Sequence, residues 1–307
     1  MRLNDLLLFL VICGSVGFAI SSPELCAPLQ PLPLYLMMVL LFLSFLRINF
    51  DSLLDTSLRS LIQLGFLSLV KLIVLPVSVY WITLRIAPEY AVPALLLSGI
   101  STGVVAPFVA NMVGTEIAPV LRMVVATSLL TPFTLPALVR ILAGAEADIP
   151  VLPMIKMLAS VIFIPLILVA MARRTIPIVL ERINSVQFPV SLFLFAMINM
   201  GVFSKYSHFF SNNWETLLGA IAVSYVLGMI YYLTGFIVVF SDVPGDRLSA
   251  GISMAIVNNV LVMVFSSQFF GPLAPTLAAV YMFPFFSLLA PLKYLSSKYK
   301  WLAPSRG

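Results

Sequence analysis

A lysine stands near the middle of a long hydrophobic stretch that holds no other ionisable side chain, and this residue constrains the fold more than any other. The stretch runs from Leu64 through Lys71 and Pro76 to Val77. At bilayer depth a basic side chain costs roughly 2.5–3.5 kcal/mol on insertion scales, so it turns to a protein interior or a water-filled cavity. The competing explanation is a lysine that snorkels along its own stem to the membrane surface. The central position of Lys71 favours the interior.

The rest of the composition agrees with a bilayer. The chain is 61% hydrophobic and 9% charged, where an ordinary soluble domain carries about 25% charged residues. This makes it an all-α polytopic membrane protein with the lipid bilayer as a partner. The basic residues behind the +5 net charge are scattered over loop ends, which speaks against nucleic acid. The only histidine, His208, sits near a loop, and two cysteines in apolar context, Cys13 and Cys26, suggest neither a metal site nor a disulfide framework. No cofactor is expected, and Cys13 reads as a small core residue. The N-terminal run Leu6 to Ile20 behind Arg2 reads as a first transmembrane helix rather than a signal peptide, because removing it would leave an odd number of spans.

A window of about 20 residues gives ten spans, near 4–21, 32–48, 61–84, 91–113, 117–140, 150–172, 187–204, 216–240, 248–268 and 272–296. With a cytoplasmic N-terminus, the inside ends hold Arg2, Arg47, Arg59, Arg173, Arg174, Arg182, Arg247, Lys293, Lys298, Lys300 and Arg306. The outside ends hold Arg85, Arg140 and Lys205. The excess of inside charge predicts both termini in the cytoplasm, in what would be a bacterial inner membrane.

Ten spans divide into two halves, residues 1–144 and 145–307. Ser98-Gly99-Ile100-Ser101 in the fourth span is echoed by Ala250-Gly251-Ile252-Ser253 in the ninth. An odd number of helices per half makes the repeat inverted. These two spans are also the irregular ones. The fourth carries Gly99, Gly103, Pro107 and Gly114 among Ser98, Ser101, Thr102 and Asn111, and Pro107 is expected to break it. The ninth centres on Asn258-Asn259, adjacent amides that lipid cannot satisfy. Paired interrupted helices at corresponding positions point to a transporter binding site; packing glycines and serines are the alternative.

Several local patterns carry a likeness to a known group. Asp246-Arg247 leads into Ser253-Met254-Ala255-Ile256-Val257-Asn258 and then Phe270-Gly271-Pro272. The fifth span ends Thr131-Pro132-Phe133-Thr134-Leu135-Pro136 before Arg140-Ile141-Leu142-Ala143-Gly144, and the third holds Leu75-Pro76. In these features, over essentially the whole chain, it resembles the bile acid:sodium symporter family, within a superfamily that includes arsenite and auxin carriers. The resemblance implies ten helices in panel and core bundles, with unwound fourth and ninth helices crossing near the midplane. It further implies a small organic anion as substrate, moved by alternating access.

The positions that would hold sodium depart from the family. Its ninth-span glutamate and glutamine fall on Ser253 and Val257, and its fourth-span Ser-Asn pair on about Ala106 and Pro107. Its fifth-span hydroxyls fall on Val120 and Val124, and its third-span glutamine on Lys71. Sodium is a hard ion that needs several oxygen ligands, so two ordinary sodium sites are not expected. Lys71 would replace the ion with its own ammonium; proton coupling through a buried lysine stays open, whereas no carboxylate sits at mid-span to serve as a proton relay.

The polar lining expected around it is Ser101, Thr102, Asn111, Thr127, Ser128, Ser253, Asn258 and Asn259. Arg122 and Lys156 read as interfacial, Tyr225, Tyr231 and Tyr232 as stacking or packing groups, and Met37, Met38, Met254 and Met263 as core filler. A sodium-coupled symporter with displaced ligands and a non-transporting sensor or scaffold of the same fold remain alternatives. An intramembrane enzyme lacks a nucleophile with its base, a carboxylate pair or a metal set.

Overall fold

In lipid every backbone N–H and C=O must find its partner within the protein, and an apolar chain meets that demand by coiling into helices. The computed structural model of the protein describes residues 3–46, 57–144, 150–212, 214–239, 246–288 and 291. Among these residues every regular element is a helix, and extended backbone pairs at a single antiparallel bridge.

The chain begins with α1 (Leu3–Ser21), the short α2 (Pro23–Cys26) and α3 (Pro33–Phe45). Helix α4 (Leu58–Leu69) continues through a wide turn, Val70–Val74, into α5 (Leu75–Ile86). After them come α6 (Ala91–Gly99), α7 (Ala106–Val113), α8 (Ile117–Leu142), α9 (Val151–Thr175), α10 (Pro177–Ser204) and α11 (Ser207–Asn212). The last elements are α12 (Trp214–Val238), α13 (Asp246–Ala255), α14 (Asn259–Phe269), α15 (Leu273–Val280) and α16 (Met282–Ser287).

Among the described residues five helices are long and apolar enough to cross a membrane: Leu58–Ile86, Ile117–Leu142, Val151–Thr175, Val186–Ser204 and Glu215–Val238. A sixth is added if Pro23–Leu29 and Pro33–Phe45, bent by 65°, form one span. These are the helices of an integral multi-pass membrane protein. Helix α9 shows why: Met154, Leu158, Val161, Ile162, Pro165 and Val169 are buried, while Ile164, Ile167, Leu168 and Met171 form an exposed apolar stripe. That stripe suits lipid and would be a liability in water.

Two packing groups emerge. Helix α1 packs on α10, and α3 on α9 and α10. The Asn199 amide donates to Ser15 Oγ (2.9 Å), Gln187 donates to Leu43 O, and Arg173 donates to Leu46 O (3.0 Å) at the open end of α3. In the second group α5 packs on α6, α12 on α13, α14 on α15, and α15 on α6 and α12. The groups meet where α8 lies on α9 and where α14 touches α3, α9 and α10.

Three expectations change. Pro107 does not break the fourth span: α6 has already ended at Gly99, and Pro107 sits in the first turn of α7, where a missing N–H costs nothing. Cys13 is exposed rather than core. The two ends of the Gly-Ile-Ser echo differ in backbone conformation: Ser101 is unwound while Ser253 is still helical in α13. Residues 47–48, 240, 289–290 and 292–296 of the expected spans lie outside the described residues. So do Arg2, Arg47, Lys293, Lys298, Lys300 and Arg306 of the charge pattern, and residues 145–149 at the expected boundary between halves.

Candidate functional site at the crossing of two interrupted helices

Helix α6 ends at Gly99 and α13 at Ala255, and both do so inside the protein. A helix end leaves backbone groups without intrahelical partners, and a buried end must find them elsewhere. The two ends solve this against each other. Gly103 N donates to Ile256 O at 2.7 Å, and Asn258 N donates to Ser101 O at 3.1 Å, on either side of the Thr102–Val257 pair. The approach is close enough that a Cβ on Gly103 would lie 2.7 Å from Val257 O.

The terminal carbonyls of α13 are then capped in order. Thr102 Oγ1 donates to Ser253 O (2.8 Å), Lys71 Nζ to Met254 O (3.1 Å) and the Tyr281 hydroxyl to Ala255 O (2.8 Å). Thr102 N in turn donates to Thr127 Oγ1 of α8 at 3.0 Å. On the far side of the break, Asn258 Oδ1 accepts from Leu261 N and caps α14.

Lys71 is the basic side chain at this junction. Its Nζ also donates to Ser98 O, one residue before the end of α6, at 3.2 Å. One side-chain nitrogen thus bonds the carbonyl ends of two half-helices, where the helix dipoles are negative. The side chain is fully buried, and Nζ lies 5.3 Å above the centroid of the Tyr231 ring. Local sequence puts it there. Pro76 has no N–H and would crowd a regular helix one turn back; the chain answers with a π turn in which Leu75 N reaches Val70 O. Such bulges recur at functional sites, and this one contains Lys71.

Of the other residues expected in the lining, Ser101, Thr102, Thr127, Ser253 and Asn258 are buried in or against the crossing. The Ser101 hydroxyl is buried without a partner, and Ser253 Oγ donates back to Ser249 O (2.8 Å). Asn111 is exposed on α7. Ser128 is turned elsewhere, into a cavity of about 10 Å³ with Phe45, Val125, Leu129, Ile162 and Leu166. Asn259 opens a second cavity of about 10 Å³, between the packing groups, with Phe195, Asn199 and Met263. Its Oδ1 is buried there without a partner. Each cavity has room for about one water molecule.

Of the apolar positions expected where sodium ligands would stand, Ala106, Val120, Val124 and Val257 are buried and Pro107 is half-buried. Arg122 is half-buried, Lys156 is exposed, Tyr231 and Tyr232 are buried, and Tyr225 is half-buried. Met37, Met254 and Met263 belong to the core, and Met38 packs against it half-buried. Tyr281 carries only a faint signal in the sequence, a lone hydroxyl in an otherwise apolar run, Ala278 to Met282. Among the described residues no cluster of three or more His, Cys, Asp or Glu could hold a metal ion. Set beside known proteins, the chain matches no family model and no curated sequence, so its function must be read from the crossing itself.

Proposed function

We infer that this chain is a secondary carrier of a small organic anion, working by alternating access without sodium. In this reading the ten spans form two inverted five-helix halves, residues 1–144 and 145–307, with both termini in the cytoplasm of a bacterial inner membrane. The group of α1, α3, α9 and α10 acts as the panel, and the remaining helices act as the moving core. The overall pattern resembles the bile acid:sodium symporter family.

One observation carries the reading: the Lys71 ammonium is bonded to carbonyls at the ends of both interrupted helices. A family carrier of this type would need a cation there to hold the crossing together and to offset an anionic substrate. Lys71 supplies that charge as part of the chain and is the group through which transport would couple to protons, while Ala106, Val120, Val124 and Val257 offer only apolar surface. The Ser101 hydroxyl and Asn259 Oδ1, buried without partners, are among the polar groups left free for a substrate once panel and core separate. The Lys71 charge acts on the substrate through the field of the crossing, since the lysine itself is enclosed.

The test is uptake into proteoliposomes of three probe anions, taurocholate, a steroid sulfate and pantoate, with and without a sodium gradient. Uptake of at least one probe, unchanged when choline replaces sodium and lost in Lys71→Gln, is the expected result. Uptake that requires sodium would make the chain a sodium symporter with displaced ligands. No uptake under any sodium or proton gradient would favour a sensor or scaffold.

A further inference from the structure

We propose that Tyr231 is the third ligand of Lys71, and that the chamber they share is a site for a primary ammonium group that excludes a bare metal ion. The proposal rests on reading Lys71 as the built-in cation of the crossing, and it adds which kind of cation the chamber selects.

A primary ammonium has three N–H donors and no acceptor. Two directions from Nζ are taken by Ser98 O at 3.2 Å and Met254 O at 3.1 Å. The face of Tyr231 takes a third, with the ring centroid 5.3 Å from Nζ, inside the roughly 6 Å range of a cation–π contact. No carboxylate pairs with the lysine among the described residues, so carbonyl dipoles and the ring quadrupole together hold the charge. A neutral amine would fit worse. Its two N–H groups could reach the carbonyls, but its lone pair would then face the electron-rich ring.

A sodium ion would fit worse still. Hard cations are held by several oxygens, at about 2.3–2.6 Å for calcium. Two carbonyls at hydrogen-bond distance and an aromatic face make a poor oxygen cage, and a set suited to an alkylammonium head.

The ring is fixed by its surroundings. Tyr231 lies on α12, and its ring sits 5.8 Å from that of Tyr281. The Tyr281 hydroxyl holds Ala255 O, the carbonyl next to the one Lys71 holds. Tyr231 is therefore a positioning residue: it acts on the crossing through Lys71.

The experiment is chemical rescue of Lys71→Gly by n-butylammonium, which restores the deleted side chain and its charge. Thermal unfolding of the purified variant is followed in n-butylammonium, sodium and choline chlorides at equal ionic strength. The expected result is a rise in unfolding midpoint with n-butylammonium alone, absent in wild type. Adding Tyr231→Phe should keep the rescue, and adding Tyr231→Leu should abolish it. Stabilisation of Lys71→Gly by sodium but not by n-butylammonium would overturn the proposal. If Lys71→Gly does not fold, the single variants decide: Tyr231→Leu should unfold several degrees below Tyr231→Phe, and equal midpoints refute the role of the ring. Failure of anion uptake by wild type would refute the transport reading and leave this selectivity standing.

Discussion

Replacing Gly103 by alanine should open the crossing. Gly103 does not have a positive φ, so alanine is allowed by the backbone, and its whole effect comes from contact. The added Cβ would lie 2.7 Å from Val257 O and 3.0 Å from Val257 C. Both are backbone atoms and cannot rotate away. A comfortable carbon–oxygen contact is about 3.3–3.6 Å, so the two segments must part by about 0.6–0.9 Å. That stretches the Gly103 N–Ile256 O bond from 2.7 Å to the edge of bonding, and carries the Asn258 N–Ser101 O bond from 3.1 Å past it. One weakened bond and one lost bond in a buried site cost about 2–4 kcal/mol. The unfolding constant should therefore rise by roughly 30-fold to 1000-fold. Equilibrium unfolding in mixed micelles measures this directly. Gly65→Ala is the control: a Cβ there meets nothing within 4 Å, and alanine in a helix interior gains about 0.5–1 kcal/mol. If Gly103→Ala matches wild type or shifts in the same direction as Gly65→Ala, the close pairing of the two breaks is wrong.

Asn258→Ala should cost about 1 kcal/mol by removing the cap on Leu261 N, and Asn258→Ser should recover most of it; equal stability of all three proteins would reject the cap. At the turn after α10, the Tyr206 hydroxyl donates to Ser267 O (3.1 Å) and Phe270 O (3.5 Å), and Lys205 Nζ donates to Ser267 O (3.1 Å). These bonds tie one packing group to the end of α14 in the other. Tyr206→Phe should speed amide exchange around residues 267–270 by about fivefold, for a loss of about 1 kcal/mol; unchanged exchange would deny the tie. Burial raises the Tyr206 phenol above its ordinary value of 10.0. Its contribution is then complete below that pH and is lost as pH climbs toward the raised value. Wild type but not Tyr206→Phe should show this alkaline loss of stability, read as the difference between their unfolding midpoints.

Much of the helical layout was legible because it follows from solubility. Apolar runs of the right length become helices in lipid whatever surrounds them, and the Gly, Pro and Asn clusters marked the two stretches that could not stay regular. Details of each break were not legible. Pro107 looked like a breaker and turned out to open α7, because a proline is disruptive or harmless depending on where the previous helix has stopped. The short Gly-Ile-Ser echo gave Ser101 and Ser253 the same place in its pattern, yet Ser101 is unwound and Ser253 is still helical, because packing and pairing of the two breaks, not the triplet, decide where each helix stops. Asn111 and Ser128 have the same polarity as Thr102 and Thr127, and only packing separates the exposed and cavity-facing pair from the pair at the crossing.

By itself the sequence determined that the chain is a helical membrane protein, that Lys71 lies in the middle of an apolar run, and that two stretches could not stay regular helices. Composition and periodicity govern those properties, and both are local. Tertiary structure decided what Lys71 meets: Ser98 O at a separation of 27 residues, Met254 O at 183, and the face of Tyr231. The reason is physical. The partners that matter most are backbone carbonyls, which every residue carries and no residue type announces. They become ligands only where a helix stops inside the protein and leaves them unpaired.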